Sequence, residues 1–281
     1  MALCATIGFT TTIRIAANSQ SAGGARSVRD GSTSPLIDPT AGNYSYHQIR
    51  TGSSLSGFMF GVDSQGYITP GGPVAYSTPV ANTIGHGRFY LAGDQYSFDY
   101  EKPVFDGAHG NWNFSLIYGA TFGRFNVSFT ANVVDEFLET LGEIEVQYIP
   151  SRKDRLTFGV GVEDIFNTSP TVRPGDIPDD QGRGTAPDDS FFGVATYNFG
   201  TRYNVNLSSG VGNHRFRAWF DSVSVQVAHP VRVWAENDGY GINAGILYWN
   251  KIGRGRHGHP ISVLLGNARL KYFLFGAGIG L

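Results

Sequence analysis

No stretch of the chain stays apolar for the roughly 20 residues that a transmembrane helix requires, so nothing in it reads as a helical membrane span. It holds one cysteine, Cys4, which excludes a disulfide framework within the chain and any Cys-rich zinc site. Charge is scarce too. Only 16% of residues are Asp, Glu, Lys or Arg, against roughly 25% in soluble domains. The formal net charge of −2 gives no electrostatic reason to expect nucleic acid as a partner.

Glycine and aromatic residues are plentiful instead, with 38 Gly and 14% Phe, Trp and Tyr. The apolar residues fall with a period of two. Phe125, Val127, Phe129, Ala131 and Val133 share one face, and Asn126, Ser128, Thr130 and Asn132 the other. Successive side chains of a strand point to opposite sides, so this is a sheet with one oily and one wet side. The pattern returns along 87–99, 111–122, 124–134, 142–149, 155–164, 190–199, 202–211, 215–228, 231–237, 240–249, 259–266 and 270–281, predicting about 12 strands. Only the short 134–141 stretch hints at a helical period.

The linkers at 122–124, 150–154, 200–201 and 229–230 are short, and those at 100–110, 134–141 and 165–189 are long. Bacterial outer-membrane barrels combine short periplasmic turns, long outer loops and an even strand count. The expected fold is all-β, an antiparallel transmembrane β-barrel of about 12 strands with a flexible N-terminal leader. Its expected site is the bacterial outer membrane, with outer-membrane lipid around it. Rings at strand ends (Trp112, Tyr148, Tyr197, Tyr248, Trp249 and Tyr272) suit the aromatic girdles of such barrels. A soluble β-sandwich with a carbohydrate-binding or surface role is the alternative, since sandwiches also alternate. Its surface would normally carry more Lys and Glu than this polar face of Asn, Ser, Thr, Gln and Gly.

Three regions follow. Residues 1–55 read as a leader: 3–15 is mildly apolar but broken by Arg14, a poor export signal, and 18–55 is rich in Ser, Gly, Thr and Asn. Residues 56–86, with a short strand expected near 58–67 and Thr69-Pro70-Gly71-Gly72-Pro73 as punctuation, are a lead-in segment or plug. Residues 87–281 are the barrel.

Three segments resemble the YjbH-like outer-membrane barrel family. They are Gly72-Pro73-Val74-Ala75-Tyr76-Ser77-Thr78-Pro79-Val80-Ala81 with Gly87-Arg88-Phe89-Tyr90, then 156–166 (LTFGVGVEDIF), then 231–246 (VRVWAENDGYGINAGI). The resemblance implies a role in exopolysaccharide secretion, anchoring or passive transport, with polysaccharide and its export machinery as partners.

Chemistry-bearing sets are sparse, and no catalytic residue, metal site or cofactor is expected. His257 and His259 lie close together without an evident third ligand. Asp176, Asp179, Asp180, Asp188 and Asp189 lack the spacing that wraps a calcium ion. An outer-membrane lipase is the second alternative, but no His is followed by a Ser-Asn-Gly stretch. Charge on the lipid face is costly, so the strand charges Glu143, Glu145, Arg155, Glu163, Arg232 and Glu236 should face the lumen. The expected lumen-lining set is Asn126, Ser128, Thr130, Asn132, Glu143, Glu145, Arg155, Arg232 and Glu236.

Overall fold

The structure, a computed structural model, describes residues 60–97, 110–134, 139–150, 155–163, 165, 190–200, 202–213, 216, 219–239, 241–253, 258–268, 270 and 272–281. The leader at 1–55, the acidic stretch at 176–189 and His257 lie outside them. The strands are β1 (Arg88–Ser97), β2 (Gly110–Phe122), β3 (Phe125–Val134), β4 (Glu139–Tyr148), β5 (Leu156–Glu163), β6 (Ser190–Asn198), β7 (Asn206–Gly212), β8 (Phe220–Ala228), β9 (Val231–Asn237), β10 (Ile242–Ile252), β11 (His259–Ala268) and β12 (Tyr272–Gly280). Each pairs antiparallel with its neighbours in sequence, and β12 returns to β1, giving a closed 12-strand barrel. Tyr90 pairs with Gly280 and Tyr96 with Leu274 at the closing seam. Closure leaves no open edge, which is what lets a sheet cross hydrocarbon.

Local chemistry sets the register. Phe122 pairs with Phe125, leaving Gly123–Arg124 as the turn. Gly123 has φ 63°, the position where a two-residue hairpin of the II′ kind needs glycine. At the other rim Asp238-Gly239 turns β9 into β10: the Gly241 N–H donates to Asp238 Oδ1 at 2.8 Å and Gly239 takes φ 87°.

The two faces differ as the alternation predicts. Phe125 and Phe129 are 45% and 38% exposed, whereas Asn126, Ser128 and Thr130 are at 0%. Phe114, Leu116, Phe158, Val160, Phe191, Val211, Ile246 and Leu265 are likewise exposed. A continuous apolar exterior of this kind far exceeds the patches of soluble monomers and matches a lipid-facing band. A sandwich would bury that face against a second sheet, so the sandwich alternative falls. The sheet is a transmembrane β-barrel.

Near the rim carrying the short turns, exposed rings pair as Phe89–Tyr118, Phe125–Tyr148 and Tyr197–Phe199, with centroids 4.7, 5.3 and 4.9 Å apart. Tyr148, Tyr197 and Tyr248 are exposed there. Trp249 is not part of that outward belt: half-buried, it meets His229 edge-on at 6.5 Å. The side chains of Trp112 and Tyr272 lie outside the described residues.

Some local expectations are corrected. Val134 ends β3 and Glu139–Leu141 opens β4, so both ends of the stretch with the helical hint belong to the ladder, and 135–138 lie outside the described residues. The strand expected at 202–211 begins at Asn206, because Asn204 with φ 41° belongs to the turn before it. The strand expected near 58–67 is, over the described part, one bridge between Val62 and Ile68.

Placing a cation on the outer face tests this orientation. Phe129→Arg should destabilise the barrel by roughly 2–4 kcal/mol if that position meets the bilayer midplane. Unfolding in lipid vesicles measures it, and an unchanged stability would contradict lipid contact at β3.

Candidate functional site: the occupied lumen

The lumen is not empty. Residues 60–86 fold into it from the chain just before β1, and their burial is nearly complete from Gly72 to Gly85. A short hairpin bridged at Val62 and Ile68 is turned by Asp63, whose Oδ1 accepts the N–H groups of Gln65 and Tyr67 at 2.9 and 3.0 Å. Burial raises the Asp63 carboxyl above its ordinary value, opposed by those two hydrogen bonds and by nearby His86 and Arg88.

A segment inside a barrel carries backbone donors and acceptors that must be satisfied. Here the wall side chains do it. Arg232 Nε donates to the Pro70 carbonyl at 3.2 Å, and Asn206 Nδ2 to the Gly71 carbonyl at 3.1 Å. Ser224 Oγ accepts from Val74 N–H at 3.1 Å, and Thr196 Oγ1 from Ala81 N–H at 2.8 Å. Gln147 accepts from Thr83 N–H at 3.0 Å and donates to the Ser64 carbonyl at 3.2 Å. Thr83 and Ser128 hydroxyls hydrogen-bond, as do Thr157 and Asn82.

The densest contact is at Glu236, near the end of β9. Its carboxylate accepts the N–H groups of Tyr76, Ser77 and Thr78 at 2.8, 2.8 and 3.2 Å. The hydroxyls of Ser77 and Thr78 add bonds at 3.0 and 2.9 Å, and Asn243 Nδ2 one at 2.7 Å. Charge-assisted hydrogen bonds of this kind are the strong ones, and a buried carboxylate is tolerated only with such a set. Tyr76 also donates its hydroxyl to Asp94 at 3.2 Å.

Wall glycines make the space. A Cβ at Gly119 would collide with the Ile84 carbonyl, and one at Gly159 would sit 3.0 Å from Ala81 Cα. Glycine in a strand often marks such a close backbone approach. Phe60, Val62, Val74, Tyr76 and Ile84 pack with Tyr90, Ile117, Trp234, Leu247, Leu264 and Leu274 into one apolar cluster. The interior is thus a built core between segment and wall.

Most of the expected lining set faces inward: Asn126, Ser128, Thr130, Asn132, Glu143, Glu145, Arg232 and Glu236 are all buried. Arg232 spans three places, donating also to Ser224 Oγ at 2.8 Å and to the Asn204 carbonyl at 3.0 Å. Arg155 sits at the mouth of the lumen. It precedes β5, is exposed, and donates from Nη1 to the Phe199 carbonyl at 2.8 Å. At the short-turn rim it borders a cavity of about 170 Å³ with Asp63, Ser64, Asn82, Thr157, Thr196 and Asn198. The sequence did not single out Ser224, Thr196, Gln147 or Asn243 as partners of the segment; their signal was only their place on the polar face.

Among the described residues no three His, Cys, Asp or Glu side chains are grouped to hold a metal. Two of the described histidines, His86 and His259, have ring nitrogens within hydrogen-bond distance of backbone carbonyls. His86 Nε2 donates to the Gln65 carbonyl at 2.7 Å and its ring stacks on Tyr67 at 4.2 Å. His259 Nδ1 lies 3.1 Å from the Gly280 carbonyl.

No protein-family description and no curated protein matches the chain. Solved structures with partial likeness include mutants of a porin from Rhodopseudomonas blastica. One is 12% identical over 61% of this chain and 55% of the porin, with a TM-score of 0.32; a triple mutant is 11% identical over the same shares, also at 0.32. The chain therefore spans about half the length of these porins. Another, described by the words "Asymmetric conductivity of engineered proteins", is 11% identical over 69% of this chain and 98% of its own, again at 0.32. The barrel assignment rests on the pairing of this chain's own strands.

Glu236→Gln should loosen the latch. Replacing the carboxylate by an amide removes charge from bonds worth about 1.5–3 kcal/mol when one partner is charged. Hydrogen exchange at Tyr76, Ser77 and Thr78 should speed up by roughly tenfold or more, while the amides of β3 keep their protection. Unchanged exchange would mean that the latch lies elsewhere.

Proposed function

We propose that this protein is an outer-membrane barrel that conducts polar solutes only when its inner segment moves, and that its role is non-catalytic. One observation carries this reading. Residues 60–86 fill the lumen, yet they hold to the wall through side chains and add no strand to the sheet. The twelve-strand ladder is complete without them, so their departure would break no wall pairing. The polar inner faces of β3 and β4 then line a wet path.

The association with exopolysaccharide, as cargo or as anchored polymer, comes from the resemblance to YjbH-like proteins. Two of the resembling segments, 72–81 and 231–246, meet at the bonds between Glu236 and residues 76–78. The third, 156–166, reaches the same inner segment through Thr157 and Asn82. The resembling residues are thus those that build the closure, which favours this reading over a barrel that is only an anchor.

A reversible tether tests it. In a Cys4→Ser background, Thr83→Cys with Ser128→Cys replaces a hydrogen-bonded hydroxyl pair by two thiols close enough to bridge. In planar bilayers the oxidised form should stay silent and reduction should restore openings, with Glu236→Ala raising open probability roughly tenfold or more. If neither the reduced form nor Glu236→Ala conducts, the conduit reading is wrong and the barrel is a closed anchor.

A further inference from the structure

We infer that the short-turn rim of the barrel docks onto the phosphate headgroups of an anionic phospholipid leaflet. The charges of the barrel are sorted along its axis. Among the described residues every Lys and Arg, namely Arg88, Arg124, Arg155, Arg202, Arg232 and Lys251, belongs to the end where β2 turns into β3, β6 into β7 and β8 into β9. Arg232 is buried in the lumen and engaged with the inner segment, and Arg88 lies over the Tyr67 ring at 4.8 Å. Arg124, Arg155, Arg202 and Lys251 are exposed. Among the described residues Asp63 alone brings an acidic side chain to this rim, and it is already under the charge of His86 and Arg88. By sequence, the linkers joining strands at the opposite rim hold more Asp and Glu than Lys and Arg.

The exposed guanidinium groups are held by neutral partners. Arg124 Nη1 donates to the Pro150 carbonyl at 3.1 Å and Arg155 Nη1 to the Phe199 carbonyl at 2.8 Å. Arg202 lies 5.8 Å from the centre of the Tyr203 ring. None of these contacts neutralises a charge, and a guanidinium with its fork of N–H donors keeps several of them for a further acceptor.

What lies beside these cations identifies the partner. Arg124 sits in the turn between exposed Phe122 and Phe125, Arg202 precedes exposed Tyr203, and Lys251 precedes exposed Ile252. Each of the three therefore borders the outward apolar face, near the ring pairs Phe125–Tyr148 and Tyr197–Phe199. A soluble anion would use the charge alone. A phospholipid uses both features, its chains against the rings and its phosphate against the guanidinium just beyond them. Basic side chains beside a membrane surface attract anionic lipid in this way, and girdle aromatics occupy the same depth. This docking holds whether or not the inner segment moves.

The full chain in maltoside micelles gives the test, with the unfolding midpoint as readout. Dioctanoyl phosphatidylglycerol is titrated against dioctanoyl phosphatidylcholine, which differs in headgroup charge but not in its chains. The anionic lipid should reach its half-maximal shift at a roughly tenfold lower concentration, since each cation near an anionic surface contributes up to about fivefold. Glycerol phosphate, a headgroup without chains, should shift nothing at matched ionic strength. Arg124→Gln with Arg202→Gln should reduce the lipid preference by about fivefold or more, and Arg124→Lys with Arg202→Lys should retain it. Equal responses to the two lipids, the same shift from glycerol phosphate, or an undiminished preference in the Gln variant would each overturn the docking surface.

Discussion

The closing seam between β1 and β12 governs what the rest of the chain can do. Once Tyr90 pairs with Gly280 and Leu91 with Ile279, the sheet has an inside and an outside instead of two edges. The period of two then assigns every strand side chain to lipid or lumen. Alternation within one strand says only that the two faces differ. Closure says which face is enclosed, and the polar one is.

An enclosed polar face demands partners. Buried Asn, Ser, Thr, Gln and Glu on the wall must hydrogen-bond to something, and the segment at 60–86 supplies a backbone rich in donors and acceptors. The complementarity runs both ways, since that backbone has no strand partners apart from the single Val62–Ile68 bridge. Most bonds across the boundary join a side chain of the wall to the main chain of the segment. Such contacts depend little on the segment's side-chain identity, which leaves its sequence free to meet other needs, such as packing Val74 and Tyr76 into the apolar cluster.

The architecture was legible in the sequence because period-two alternation and glycine-marked turns are local signals. Phe125 to Val133 and the turn at Gly123 could be read without knowing any distant contact. The inner segment was harder. Its residues show no periodicity, since an extended chain fitted to a wall answers to that wall. Glu236 could be placed in the lumen from the cost of charge in lipid, but its six donors come from residues some 160 positions away and a cross-strand Asn243. Arg155 illustrates a related point: at a strand boundary parity no longer decides burial, and this exposed side chain borders the lumen mouth while turning to the carbonyl of Phe199.

The distribution of charge along the interior follows from the same constraint. Glu236 is satisfied by donors built into the segment, and Arg232 by the carbonyls of Pro70 and Asn204 with the hydroxyl of Ser224. Both charges thereby fasten the segment to β9, one at each end of that strand. Glu143 and Glu163 face each other on the opposite side of the ring, where Asn132 and Thr130 keep oxygen atoms without partners. The charged contacts to the segment thus sit on β9, while β3 to β5 hold it through the neutral side chains of Ser128, Gln147 and Thr157.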